Sequence, residues 1–115
     1  MSNAKQFPLT IAAQVERDLD DILFYKSRLG AYQTTLDEIL TGVYSGLSQL
    51  QRYPLSGAAL SEKVEIPTTV RYLLVAQEYL LFYEFDGRAV KVYRILSYKQ
   101  DYIRKLGWNE KDSWR

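Results

Sequence analysis

The last quarter of the chain holds the side chains best suited to chemistry on a polyanion. Arg88, Lys91, Arg94, Lys99, Arg104, Lys105, Lys111 and Arg115 lie among Tyr93, Tyr98, Tyr102, Trp108 and Trp114. Cationic groups hold phosphates and aromatic rings stack on bases, so the mixture suits an RNA-facing surface or an interface with an acidic protein. A plainer role uses the same residues: lysines protect strand edges from aggregation, and tyrosines cover half-buried faces. The net charge of +1 conceals this division. Residues 1–87 hold seven Lys or Arg against eleven Asp or Glu, whereas residues 88–115 hold eight against three. The chain has no histidine and no cysteine. Serine–histidine triads, cysteine–histidine dyads, disulfides and histidine- or cysteine-bearing metal sites therefore cannot be built from it alone. Catalysis would fall to Asp, Glu, Lys, Arg or Tyr. No Gly-rich phosphate loop, dinucleotide fingerprint or EF-hand loop is present, and no metal or cofactor is expected.

The elements that must position these groups follow from periodicity. A length of 115 residues accommodates one domain. Residues 1–6 read as an N-terminal tail, 7–106 as the domain and 107–115 as a C-terminal tail. No apolar run is long enough for a membrane span and no signal segment opens the chain, so a cytoplasmic protein without membrane contact is expected. Phe7 to Ile11 reads as a strand, with Thr10 placed to cap the helix after it. Val15, Leu19, Ile22, Leu23 and Leu29 recur at helical spacing, and Gly30 suits the left-handed helix stop. Asp18, Asp20 and Asp21 read as solvated helix surface. A second helix carries Leu36, Ile39, Leu40, Val43, Tyr44, Leu47 and Leu50, with Gly42 and Gly46 suggesting close approach to the first helix. Pro54, Ser56 and Gly57 end it, and Ala58 to Pro67 reads as a loop.

Three antiparallel strands are expected near Thr68 to Ala76, Tyr79 to Phe85 and Ala89 to Leu96, with turns at Gln77-Glu78 and Asp86-Gly87. Strict alternation in the last strand puts Arg94 in a row with Val90, Val92 and Leu96, so it needs a partner or an exposed strand end. Asp101 is the partner the sequence suggests. Tyr98 to Leu106 reads as a short helix. The resulting order, β-α-α-β-β-β-α, is an α+β fold with a helix hairpin on one face of an antiparallel sheet, its other face partly open.

Several segments resemble one family. Val70-Arg71-Tyr72-Leu73-Leu74-Val75, Tyr79 to Gly87, Val90 to Tyr93, and Arg94-Ile95-Leu96-Ser97 with Asp101 resemble the ParE/RelE toxin superfamily of type II toxin–antitoxin, or plasmid stabilisation, modules of bacteria. Ala13, Asp18-Leu19, Ile22 and Tyr25, then Leu50, Pro54 and Gly57, are similar to that family's helix hairpin and its exit. The resemblance implies a small growth-inhibiting toxin held inactive by a cognate antitoxin that wraps it. It also implies autoregulation of the operon, with operator DNA contacted only through the antitoxin.

The superfamily divides into two activities. RelE-like members are metal-independent endoribonucleases that cut messenger RNA on the ribosome with clustered basic residues and often a tyrosine. On that reading Arg71, Lys99, Arg104 and Tyr102 would form the catalytic cluster. ParE-like members are associated with inhibition of DNA gyrase by binding, and on that reading Arg71, Arg94, Tyr98 and Lys99 would contact the target. The chain has Leu80 after Tyr79, where RelE-like ribonucleases carry arginine, which favours the ParE-like reading. Its Arg94-Ile95-Leu96 run with Asp101 also looks ParE-like, although those members carry a histidine at the position of Ser97. A degenerate member retained as an antitoxin-binding regulatory scaffold is the third reading.

Overall fold

A computed structural model describes residues 6–65 and 67–106. The N-terminal lead as far as Lys5, and the C-terminal tail with Trp108, Lys111, Trp114 and Arg115, lie outside the described residues.

The elements run β1 (Leu9–Ile11), α1 (Ala13–Arg28), α2 (Gln33–Arg52), β2 (Ala58–Ala59), α3 (Leu60–Val64), β3 (Arg71–Val75), β4 (Tyr79–Phe85), β5 (Val90–Ser97) and α4 (Tyr102–Lys105). The sheet order is β1-β5-β4-β3-β2. Strands β2 to β5 pair antiparallel, as expected, but β1 joins β5 in parallel, matching Leu9 to Val90 and Ile11 to Val92. The fold is therefore α+β with a mixed five-stranded sheet, which corrects the all-antiparallel expectation. The pieces β2 and α3 occupy the stretch read as a loop. Among the described residues no helix is long and apolar enough to cross a membrane.

Helix α1 ends as its sequence requires. Gly30 has φ +88°, and the Ala31 and Gly30 N–H groups donate to Lys26 O and Ser27 O at 3.1 and 3.0 Å, the paired bonds of a Schellman stop. At its start Ala12, not Thr10, is the N-cap, and no side chain caps the helix. The two helices cover one face of the sheet. Val15, Ile39, Val43 and Leu50 pack with Val75, Leu81, Tyr83, Val90, Val92 and Ile95 in the larger apolar cluster. Burying each such side chain contributes about 1.5–3 kcal/mol.

Gly46 permits close approach, but of α2 to the sheet and not to α1. A Cβ there would stand 2.4 Å from Val75 Cγ1 and 3.2 Å from Leu81 Cδ1. The exit of α2 is pinned by the buried Tyr83 hydroxyl, which donates to Pro54 O at 2.7 Å and accepts the Gly57 N–H at 3.0 Å. The opposite face is more covered than expected. Leu60, Val70, Leu80, Phe82, Leu96 and Leu106 form a smaller cluster closed by α3 and the end of α4.

A bulge corrects the expected side-chain alternation in β5. Phe82 pairs with Arg94 and Tyr83 with Val92, so Tyr93 is the extra residue. Ile95 thereby joins Val90 and Val92 under the hairpin, and Arg94 leaves that row. The β3–β4 turn uses non-glycine residues in left-handed backbone, Ala76 at φ 50° and Gln77 at φ 65°. The β4–β5 turn is organised by the Asp86 carboxylate, which accepts the Arg88 and Ala89 N–H groups at 2.8 and 2.9 Å. Those bonds hold the Asp86 carboxyl below its ordinary range.

Candidate functional site

Strand β1 stops at Ile11, where Ala12 N–H donates to Val92 O, and the chain turns into α1. Beyond Val92 the outer edge of β5 therefore faces α1 instead of another strand. An open groove of about 490 Å³ runs between them, lined by Asp18, Ile22 and Tyr25 on one side and Arg94 to Ser97 on the other. Lys99 and Lys105 stand at its rim.

Asp18 bridges this gap. It is only 5% exposed, although the sequence reading placed it on solvated helix surface. Arg94 Nε donates to its Oδ2 at 2.8 Å and Nη2 to its Oδ1 at 2.9 Å. The Ile95 N–H donates to Oδ2 at 3.0 Å, and Gln14 Nε2 to Oδ1 at 3.0 Å. The carboxylate thus satisfies an edge amide that a neighbouring strand would otherwise take. Arg94 also sends Nη1 to Lys105 O at 2.9 Å, tying the C-terminal segment to the body. Its partner is Asp18 and not Asp101, whose carboxylate instead caps α4 by accepting the Arg104 N–H. Removing one member would strand the other charge and untie Lys105 from α1 and β5.

A second network closes the end of β5. Glu78, at the β3–β4 turn, accepts Lys26 Nζ at 2.9 Å and Ser97 Oγ at 3.1 Å, and Lys99 Nζ lies 3.8 Å away. Burial pushes the Glu78 carboxyl up, but the bonds from Lys26 and Ser97 and the nearby ammonium charges outweigh it and leave the group low. The bond to Glu78 raises Lys26 above its usual value against desolvation. Burial raises the adjacent Tyr79 phenol, with the Glu78 charge adding to it.

The site residues expected from sequence fall into separate places. Arg71 pairs with Tyr83 on the hairpin face, where its Nη2 donates to Gly57 O at 2.7 Å and Leu55 O at 3.2 Å. Tyr102 lies on the other face, its ring 5.6 Å from that of Phe82. The sheet stands between them. Tyr98, Lys99 and Arg104 are exposed around the end of β5 and α4. Arg94, Tyr98 and Lys99 are thus grouped, while Arg71 is not with them. Leu80 is 4% exposed in the smaller cluster, an apolar position with no room for a charge. Among the described residues no cluster of carboxylates suited to a metal ion occurs.

Asp18, Lys26, Glu78 and Ser97 were missed as site residues. Asp18 left one sequence signal: it falls three residues after Val15 and four before Ile22, within the apolar stripe of α1. An acid in one apolar row and an arginine in another are natural partners.

No family profile and no curated protein sequence matches the chain. Among solved structures, the fold is similar to that of a chain described as the chromosomal ParDE TA system from P. aeruginosa. The TM-score is 0.64 at 19% identity, covering 80% of this chain and 96% of that one. The helix hairpin on a sheet that positions Asp18, Arg94 and the basic C-terminal segment is therefore a ParE/RelE-like fold.

Proposed function

We propose that this chain is the toxin component of a type II toxin–antitoxin module, that it inhibits bacterial growth by binding DNA gyrase in the cytoplasm, as ParE-like toxins do, and that a cognate antitoxin neutralises it. The observation that carries this reading is the fold shared with a chain of a ParDE system over 96% of that chain's length. The choice of binding over RNA cleavage draws support from Leu80, whose burial beneath Leu60, Val70 and Leu106 fills with hydrocarbon the position that ribonucleases of this superfamily give to arginine. Arg71, engaged with two backbone carbonyls, is a further support. Target contact then falls to Tyr98 and Lys99, with Arg94 grouped beside them and Arg71 apart, held against Leu55 O and Gly57 O.

A largely acidic antitoxin segment that folds on binding fits the exposed apolar side chains of the hairpin, Phe24, Tyr25, Leu29, Tyr32, Tyr44 and Tyr53, together with the basic C-terminal segment. The RelE-like alternative, a ribosome-dependent ribonuclease, would rest on Lys99 and Arg104, both exposed, with Tyr102 and Arg71. Induction in cells lacking an antitoxin separates the readings. Growth arrest without new messenger 5′ ends is expected. Arrest with new 5′ ends on translating messages would overturn gyrase binding in favour of the ribonuclease, and unimpaired growth would leave only the regulatory scaffold.

A further inference from the structure

We propose that the Asp18–Arg94 pair is a latch that positions the basic C-terminal segment, so that Arg94 acts through the segment it holds and does not itself contact the target. The geometry is specific to a guanidinium. Arg94 spends three donors on three acceptors in two elements, Asp18 Oδ1 and Oδ2 on α1 and Lys105 O at the end of α4. Its side chain is 20% exposed and that of Asp18 4%, leaving little of either for a partner protein. The segment held this way is short. Helix α4 is a single turn of four residues, which cannot hold its shape by helix propensity alone. Its other attachments are Leu106, fully buried in the smaller cluster, and the Tyr102 ring against Phe82. With the latch closed, Lys99, Arg104 and Lys105 share one end of the molecule as a fixed basic surface, and a fixed surface binds without the cost of ordering it.

The same pair explains why the cation is arginine. An ammonium at position 94 would keep the charge, but it is a compact point donor and cannot present a planar fork to the carboxylate while also reaching the Lys105 carbonyl. A contact made through charge alone would survive Arg94→Lys. The latch would not. Asp18→Asn makes the complementary test, since it alters a side chain that is only 5% exposed.

Hydrogen exchange of the full-length wild type, Arg94→Lys and Asp18→Asn decides the structural part without reference to activity. Exchange of the Leu106 and Lys105 amides should accelerate about tenfold or more in both variants, with Leu81 and Val92 protected as in wild type. Unchanged exchange at Leu106 would overturn the latch, and so would equal loss of protection at Leu81 and Val92, because the pair would then support the whole fold. The functional part rests on the target-binding reading above. Both variants should need about tenfold more protein for half-maximal inhibition of purified gyrase. Arg94→Lys at wild-type potency would make Arg94 a charge contact and overturn its positioning role. A wild-type protein inert toward gyrase would overturn the target reading alone, and the exchange data would still judge the latch.

Discussion

The two faces of the sheet are closed by different means. On one, two helices of 16 and 20 residues lay continuous apolar stripes over Leu81, Tyr83, Val92 and Ile95. On the other, two helices of five and four residues bring only Leu60 of α3, with Leu106 just past α4, to a cluster of six buried side chains. The first arrangement is self-sufficient, since each helix has its own hydrogen bonds and several anchors. The second depends on single side chains and on the Asp18–Arg94–Lys105 tie. The hairpin face holds the fold, and the face carrying the C-terminal segment is the part whose geometry can be lost separately.

That contrast yields predictions of decreasing size. Leu50→Ala, under the hairpin, should cost about 2–5 kcal/mol and lower the global unfolding midpoint, whereas Leu106→Ala should mainly expose the amides of α4. Denaturant unfolding beside hydrogen exchange checks both, and a Leu106→Ala variant as globally destabilised as Leu50→Ala would erase the distinction between the faces. Gly46→Ala should cost about 1–3 kcal/mol, because its new methyl meets the stiff Val75 side chain and Leu81. Thermal melts would reveal it. A cost near zero would mean that α2 can lift from β3.

The Glu78 network should impose a pH dependence on stability. Its carboxyl is low in the folded state, so its contribution is complete above the ordinary value of 4.5 and is lost as pH falls through the depressed one. Lys26 and Tyr79, both raised, contribute below their ordinary values of 10.5 and 10.0 and lose that contribution as pH rises through the folded ones. The melting curves of wild type and Glu78→Gln should therefore differ at about pH 7 and converge toward about pH 3. A constant gap would assign Glu78 no net linkage. The smallest effect is expected at the β3–β4 turn, where Gln77→Gly should stabilise by up to about 1 kcal/mol by relieving left-handed backbone at φ 65°. Equilibrium unfolding measures it.

What was legible in the sequence was local. Gly30 marked the end of α1 because a left-handed residue is a local requirement, and the stripes of Val15 to Leu23 and Ile39 to Leu50 marked the helices because one face repeats. The meander of β3 to β5 was marked by its composition and by Asp86-Gly87. The parallel seating of β1 was not legible, since Leu9 to Ile11 carries no mark of strand direction and its partners lie some eighty residues away. The bulge at Tyr93 was hidden because alternation assumes that no residue is extra, and this misplaced both Ile95 and Arg94. The turn at Ala76-Gln77 lacks the usual glycine. The partner of Arg94 was sought seven residues away at Asp101 and found 76 away at Asp18, where only tertiary packing could place it. The resemblance in the meander pointed to the fold, while the roles of Arg71 and Arg94 required their hydrogen-bond partners to be seen.

Under the proposed function, the basic C-terminal segment binds a target and does not cleave RNA. The most direct test is a supercoiling assay with purified gyrase and the full-length chain, run beside primer extension on messages from translating ribosomes exposed to the same protein. Loss of supercoiling with intact messages is expected. Undisturbed supercoiling with new cleavage sites in the messages would contradict it.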